Sequence, residues 1–327
     1  MSTTRWGIAG TGWISRHTLR DLRLVENVEV VAVSSRDDER AAAFATEEGI
    51  GRAYGSYDAM LADPDVDVVY VCTPHGAHFP MVAAAVAAGK HVLCEKALTL
   101  DAEQARSLAA LAQDAGVFLM EAMWMKFNPA VRALAERLEA GAIGDVRWVQ
   151  AGFGFPVPRD PTSRFWDAEQ GGGALLDVGI YPVTLAHLLL GRPTSVSVTG
   201  AAEPDGVDTR AFVTLVTALG TAQLATSIEH VVTPSASVSG TTGFAELGTR
   251  FWMTDSFTLW PEGAGPGAAP PEQVQVPLEG IGYVPMFRHV SECVQAGLTE
   301  SPVHPLAATV EVLETIDEVR RLLVAAR

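Results

Sequence analysis

Residues 8–15 read Ile8-Ala9-Gly10-Thr11-Gly12-Trp13-Ile14-Ser15, and the stretches on either side give this octet its meaning. Before it, Arg5 to Gly10 is a short, mostly apolar run suited to a strand; after it, Ile14 to Leu24 has helical character. A GxGxx(S) turn between strand and helix lets the chain double back tightly. It also lets a pyrophosphate approach the helix N-terminus, where backbone N–H groups favour negative charge. The expected contacts are Gly10, Thr11, Gly12, Trp13 and Ile14, with Ser15 standing where a third glycine is usual. In isolation the motif is weak, and the bland alternative is a glycine turn with no ligand; its position in the first βα turn of an alternating pattern is what strengthens it.

That alternation continues for the first third of the chain. Glu29 to Ser34, Val66 to Thr73, His91 to Glu95 and Val117 to Glu121 read as further strands. Asp37 to Glu48, His78 to Ala88 and Asp101 to Ala115 read as helices, with Asp37 and Asp101 as N-caps and Gly49, Gly89 and Gly116 as C-caps. Strands alternating with crossover helices predict a doubly wound parallel sheet. At the end of the second strand an NAD site usually offers a carboxylate to the ribose, whereas a 2′-phosphate wants hydroxyls and a guanidinium. Here Ser34, Ser35 and Arg36 are offered, which favours NADP. In the alternative, Arg36 is a solvated helix-start residue, Asp37 or Asp38 meets the ribose, and the cofactor is NAD.

The first domain is expected to end near residue 122. A helix over Asn128 to Glu139 follows, and then strand-rich sequence: Val146 to Phe155, Thr194 to Ala201, Val207 to Thr217 and Thr221 to Val232, the last two joined by a hairpin at Ala218-Leu219-Gly220. This predicts a largely antiparallel sheet in an α+β domain over 123–327. In Ala211 to Thr217, Phe212 and Val216 alternate with Val213 and Leu215, so both faces want cover. Helices suit one face and a partner subunit the other, which predicts a homodimer or homotetramer joined through this sheet. Pro261 to Pro271 reads as an exposed loop, and Pro285 to Ala296 and Pro305 to Ala325 as closing helices, the last free to pack back on the first domain.

Composition narrows the partners. The 327 residues are 48% apolar and 19% charged, and 23 Lys plus Arg against 39 Asp plus Glu give a net charge of −16. Such a field repels nucleic acid and anionic lipid, which makes both poor candidate partners. Cys72, Cys94 and Cys293 are odd in number and form no CxxC pair, which suits a reducing compartment. No basic and apolar leader is read ahead of the first strand, and the run Met81 to Ala88 is too short to cross a bilayer, so a cytoplasmic protein is expected. His75 and His78 lie at i, i+3, but no Cys or carboxylate joins them at metal-site spacing, and no metal is assigned.

Four motifs in order, Gly10-Thr11-Gly12, Cys72-Thr73-Pro74-His75-Gly76-Ala77-His78, Cys94-Glu95-Lys96-Ala97 and Gly171-Gly172-Gly173-Ala174-Leu175-Leu176-Asp177-Val178-Gly179-Ile180-Tyr181, carry a resemblance. The sequence resembles the glucose-fructose oxidoreductase, inositol dehydrogenase and MocA (Gfo/Idh/MocA) family over almost its whole length. EAMWMKF, Glu121 to Phe127, is most similar to the branch of dimeric dihydrodiol dehydrogenases and sugar oxidoreductases. The resemblance implies a Rossmann domain joined to an open, mostly antiparallel sheet, and an NAD(P)-dependent dehydrogenase acting on CH–OH groups of a cyclic sugar, polyol or trans-dihydrodiol.

Carried over by residue, it implies Lys96, Asp177 and Tyr181 as catalytic groups. Alcohol oxidation needs a base for the hydroxyl proton, and an ammonium beside a phenol favours the phenolate. It further implies Thr73, Pro74, His75, His78, Glu95 and Lys96 around the cofactor. Trp124, Arg164 and Trp166, with Lys96, Asp177 and Tyr181, are expected on the substrate; Phe155, Arg159 and Phe165 are further candidate pocket residues, and for Phe155 and Phe165 ordinary packing is at least as strong a reading. Two residues depart from the family pattern: Ala97 replaces the usual proline and His75 the usual asparagine. Asp177 and Tyr181, at i, i+4, share a helix face, but Pro182 requires a kink or restart there. Two other functions use the same fold, nucleotide sensing without catalysis and NAD-assisted glycoside hydrolysis; the joint presence of Lys96, Asp177 and Tyr181 argues against the first, and net cofactor reduction separates the second.

Overall fold

The computed structural model describes residues 3–160, 162–265 and 267–325. The chain divides into two units, Met1–Trp124 with Glu279–Val310, and Met125–Leu278 with Glu311–Arg327. In the first, the strands β1 (Thr4–Ala9), β2 (Val28–Ser34), β3 (Arg52–Tyr54), β4 (Val68–Val71), β5 (His91–Cys94) and β6 (Leu119–Glu121) pair in parallel in the order β3-β2-β1-β4-β5-β6. This is the doubly wound Rossmann order, reversing between β1 and β4, where ligands bind at the strands' C-terminal ends. Helices on both faces leave the middle strands apolar throughout: Val68, Val69, Tyr70 and Val71 are at most 1% exposed.

The crossovers are helices α1 (Trp13–Leu22), α2 (Asp38–Glu48), α3 (Tyr57–Leu61), α4 (His78–Ala87) and α5 (Ala102–Ala115). Asp37 and Asp101 cap α2 and α5 as expected, accepting the N–H of Arg40 at 2.9 Å and of Gln104 at 2.8 Å. β3 and α3 occupy a region the sequence leaves unassigned, because a three-residue edge strand and a five-residue helix are too short to show a period. Residues 279–310 follow the second sheet in sequence yet belong to the first unit. The buried Asp21 carboxylate accepts the N–H of Ile281 at 3.0 Å and Tyr283 at 2.9 Å, and Phe287 packs edge-on against Trp6 and Tyr70.

The second unit opens with α6 (Pro129–Glu139), whose first N–H groups are taken by Asn128. Eight strands follow: β7 (Val146–Gly154), β8 (Pro193–Ala202), β9 (Asp208–Thr217), β10 (Thr221–Ser227), β11 (Ala236–Gly240), β12 (Phe244–Leu247), β13 (Ser256–Trp260) and β14 (Glu272–Gln275). They pair in the order β14-β13-β12-β11-β7-β10-β9-β8, antiparallel except for β10 with β7. The helix α7 (Ile180–Leu190) packs on β7 and β10. β10 is shorter than the sequence suggests: the Ser227 hydroxyl accepts the N–H of Glu229 at 2.9 Å and His230 at 3.2 Å and turns the chain out of the sheet. The loop expected over 261–271 joins β13 to β14, with Pro266 outside the described residues. The closing helices are α8 (Val284–Gln295) and α9 (Leu306–Ala325). Among the described residues, one helical stretch, Ala168–Leu190, is long and apolar enough to span a bilayer, and it is mostly buried inside the protein.

Candidate active site

In the first unit the glycine turn has the shape a dinucleotide needs. Gly10 has φ +119°, and a Cβ there would lie 2.9 Å from the Cys72 carbonyl oxygen, so only glycine brings β1 this close to β4. A Cβ on Gly12, the extended N-cap of α1, would project into open space. No acidic residue occupies the first turn of α1 and no side chain caps it, so its N–H groups face outward as a cradle for phosphate oxygens. Trp13 is 71% exposed and stacks on His17 with ring centroids 4.3 Å apart. Thr11 and Ile14 are half-buried beside it, and Ser15 is buried.

At the end of β2 two exposed carboxylates follow Arg36. Asp37 caps α2, and the Asp38 carboxyl packs so closely on Gly55 that a Cβ there would lie 1.8 Å from Oδ1. Arg36 is exposed and, among the described residues, forms no ion pair, while the Ser35 N–H donates to the Tyr54 carbonyl at 3.0 Å. The residues present thus fit a dinucleotide at this end of the sheet.

The turns after β4 and β5 are tied together. Pro74 is exposed and opens a short 3-10 turn over His75–Ala77. His75 Nε2 lies 3.0 Å from the Lys96 carbonyl oxygen and, since a carbonyl only accepts, carries the proton. His78 has Nδ1 2.8 Å from the Ala97 carbonyl and Nε2 2.8 Å from that of Thr73. His78 was expected on the dinucleotide, but it is fully buried with both ring nitrogens against backbone, so it shapes the turns instead of reaching a ligand. Burial lowers its pKa, opposed by these carbonyl contacts. Glu95 is buried and accepts the Tyr70 hydroxyl; burial raises its pKa, opposed by that hydrogen bond and the Lys96 charge. The Lys96–Ala97 peptide is cis, and Lys96 is half-buried.

Behind this turn lies a group the sequence did not single out by role. Glu121 ends β6, accepts the Leu98 N–H at 3.0 Å through Oε1, and meets His304 Nε2 at 2.9 Å and the Thr309 hydroxyl at 3.1 Å through Oε2. Nothing in the sequence around His304 marks it as a partner of Glu121, 183 residues away. Trp124, an expected substrate residue, is 4% exposed and stacks on Tyr283 at 4.1 Å.

In the second unit the glycine-rich motif explains how Asp177 is placed. A Cβ on Gly172 would lie 2.7–2.8 Å from the carbonyl oxygens of Arg164, Phe165 and Asp167, so the chain passes directly beneath the Arg164 turn. Gly173, at φ +109°, passes as closely to Asp208, which accepts the Leu175 N–H at 2.6 Å. Burial raises the Asp208 pKa, opposed chiefly by the Arg320 charge. The result is an Arg164 Nη2 to Asp177 Oδ1 ion pair at 2.9 Å, with the Arg164 guanidinium also over the Phe165 ring at 4.2 Å.

Asp177 lies in a π-helical turn, Leu175–Gly179, that runs straight into α7 with Tyr181 in its first turn. Pro182 lacks an N–H and in a regular α-turn would crowd the Val178 carbonyl; the wider turn relieves this without breaking the helix. Tyr181 is 5% exposed and stacks on Trp252 at 5.3 Å, which stacks on Phe153 at 4.0 Å. Trp252 and Phe153 have no distinguishing sequence signal, since aromatic residues at such spacing usually mean packing. Trp166 donates its indole N–H to the Pro158 carbonyl at 3.0 Å under the Arg159 guanidinium, and Phe155 packs edge-on to Phe165. Lys96 thus belongs to the first unit, and Asp177, Tyr181, Arg164 and Trp166 to the second. Among the described residues no three His, Cys, Asp or Glu side chains form a metal-ligating group.

These features coincide with those of known proteins. Residues 4–123 match an oxidoreductase family with an NAD-binding Rossmann fold, and residues 131–246 match the GFO/IDH/MocA C-terminal domain. The trans-1,2-dihydrobenzene-1,2-diol dehydrogenase of Mus musculus is 38% identical over 327 residues, covering 98% of this chain and 96% of that protein. Among solved structures, a 3-ketoreductase from Actinomadura kijaniata in complex with NADP and TDP-benzene has a TM-score of 0.85 at 30% identity, covering 98% of both chains. An aldose-aldose oxidoreductase from Caulobacter crescentus complexed with glycerol has a TM-score of 0.89 at 26% identity, covering 99% of this chain and 98% of that one. With the doubly wound sheet, the glycine cradle at its switch point and the Lys96 and Asp177–Tyr181 motifs in place, this chain belongs to the GFO/IDH/MocA family of NAD(P)-dependent oxidoreductases acting on CH–OH groups.

Proposed function

We propose that the protein is a cytoplasmic, NADP-preferring dehydrogenase that oxidises a ring hydroxyl of a trans-dihydrodiol, cyclic sugar or polyol. The first unit holds the dinucleotide; the second supplies the substrate groups and the subunit contact. The observation that carries this reading is the helix bearing Asp177 and Tyr181: a carboxylate fixed by Arg164 and a phenol set against an aromatic wall, the pairing a hydroxyl-bearing ring calls for. The identity to dihydrodiol dehydrogenases over nearly the whole chain, the NADP complex of the 3-ketoreductase and the glycerol complex of the aldose-aldose oxidoreductase support it.

The glycine turn and the α1 N-terminus take the pyrophosphate, and Arg36 with Ser35 takes the 2′-phosphate. A bound nicotinamide would supply the hydride acceptor for the carbinol carbon. Tyr181 takes the hydroxyl proton, and the Lys96 ammonium lowers the cost of holding the phenolate. Asp177 accepts a hydrogen bond from a second hydroxyl, and its ion pair with Arg164 keeps it aimed. Trp252 and Phe153 exclude water from the phenol. The test is a panel of trans-dihydrodiols, pyranoses and cyclitols with NADP or NAD, followed by absorbance of the reduced cofactor. Net reduction of NADP is expected with at least one class, and its absence with all of them defeats the proposal.

A further inference from the structure

We propose that Glu121 is a positioning residue for Lys96, acting through the backbone of the turn that carries the lysine, with His304 and Thr309 holding the Glu121 carboxylate in place. The inference rests on Lys96 serving the reaction proposed above, and all its contacts lie within the first unit. Three successive residues are gripped at their backbone groups. The Lys96 carbonyl is held by His75 at 3.0 Å, the Leu98 N–H by Glu121 at 3.0 Å, and the Ala97 carbonyl lies 2.8 Å from the His78 ring, which spans it and the Thr73 carbonyl. A turn fixed from both sides at consecutive groups has little freedom left, so the Lys96 Cα–Cβ direction is set before any ligand arrives.

Glu121 does this from a place where a carboxylate needs a reason to be. It ends a buried strand at 2% exposure, flanked by Met120 and Ala122, both at 0%. An apolar residue would serve the core as well, because a buried ion pair seldom outperforms a hydrophobic replacement in stability. Here the second carboxylate oxygen is spent on His304 Nε2 at 2.9 Å and the Thr309 hydroxyl at 3.1 Å, both from the chain's closing segment. Burial alone would push the Glu121 pKa up, but His304, the Leu98 N–H and Thr309 together hold it below the usual range. It is therefore an acceptor only, and the Leu98 N–H has one direction in which to point. The first residue of the EAMWMKF motif thereby gains a role: it carries the order of the closing segment to the turn of the catalytic lysine.

Two variants separate hydrogen bond from charge. Glu121→Gln keeps an oxygen for the Leu98 N–H, whereas Glu121→Ala removes it. In the cofactor-free protein, hydrogen exchange at the Leu98 amide, read by mass spectrometry, is expected to rise about tenfold or more in Glu121→Ala and to stay near wild type in Glu121→Gln. In steady-state assays, Glu121→Ala is expected to lose roughly 10- to 100-fold in kcat, with KM for NADP within about twofold and most of the rate restored in Glu121→Gln. Unchanged exchange at Leu98 in Glu121→Ala, or an unchanged kcat, overturns the proposal. If Glu121→Ala does not fold, Thr309→Val and His304→Gln leave the carboxylate present but less fixed, and must show the same selective fall in kcat; wild-type kcat in both overturns it. Lys96→Met belongs in the series. A wild type without turnover, or a fully active Lys96→Met, defeats the reaction assignment, whereas a slow Lys96→Met beside an unaffected Glu121→Ala defeats this inference alone.

Discussion

Under the proposed NADP preference, the choice between two dinucleotides that differ by one phosphate rests on Arg36. Asp37 caps α2 through one carboxylate oxygen and Asp38 lies against Gly55, while Arg36 is exposed beside Ser35 and forms no ion pair among the described residues. Arg36→Ala should therefore weaken NADP binding by about 1.5–3 kcal/mol, the range for hydrogen bonds to charged groups, and leave NAD binding nearly unchanged. Fluorescence titration with both cofactors checks this, and equal losses would return the role to another residue. Tyr181 poses a different question. A free phenol titrates near pH 10, so it serves as a base near neutrality only with cationic help. Tyr181→Phe keeps the stacking on Trp252 and removes the group that takes the proton. Turnover should fall by roughly 100- to 10,000-fold with cofactor affinity little changed. Lys96→Met should move the alkaline rise of the rate to higher pH; if Lys96 is itself the base, Tyr181→Phe retains most of the rate, and the pH profiles of the two variants tell these apart.

The helix that carries Asp177 and Tyr181 shows what a sequence reveals about an element and what it hides. Its glycines are plain in the sequence, but their reason is not: they let the chain pass under the Arg164 turn and beside Asp208, neighbours drawn from residues on either side of the motif. Pro182 signals an irregularity without saying that a π turn resolves it. The parallel first sheet was legible because its strands are buried on both faces and its caps are local, as at Asp37 and Asp101. Much of β11 to β14 was not, because short strands such as Ala236–Gly240 and Glu272–Gln275 are built largely of small or polar residues. Glu121 with His304, and Tyr181 with Trp252, meet across long sequence separations and leave no local signal at all. The same helix yields a pH prediction. Burial, then the charges of Arg192 and Lys126, lower the His187 pKa to about 4, while its Nε2 meets the Thr315 hydroxyl of α9 at 2.9 Å. Between pH 6.5 and about 4 the unfolded chain binds a proton at this position that the folded one does not, so stability is lost as pH falls through that window. The loss is at most about 3–3.5 kcal/mol. Urea unfolding at several pH values should show it, and His187→Gln should flatten the slope; an unchanged slope removes His187 as the cause.

At the scale of the whole molecule, a charge of −16 keeps copies apart unless a specific surface overcomes it. The second sheet offers one. Cross-strand register sets Ser195, Val216, Thr221 and Trp148 in one row across β8, β9, β10 and β7, Ser197, Thr214, Gln223 and Gln150 in the next on that face, and Thr199, Phe212 and Ala225 in the one after. Val213 and Leu215 point the other way and are at most 3% exposed, so the opposite face is the one packed as core. On the open face Phe212 is 44% exposed, Val216 41% and Trp148 38%. These three large apolar side chains, with the Arg210–Glu229 ion pair beside Phe212, form a patch of the kind that self-association covers. A homodimer or homotetramer joined through this face is the expected assembly, with an interface of the order of 1,600 Å² or more. Light scattering at micromolar concentration should give a mass of two or four chains. Phe212→Asp with Val216→Asp should release monomers while leaving the described core intact, since neither side chain contributes to the buried face. A monomeric wild type, or an oligomer indifferent to both substitutions, would place the contact elsewhere.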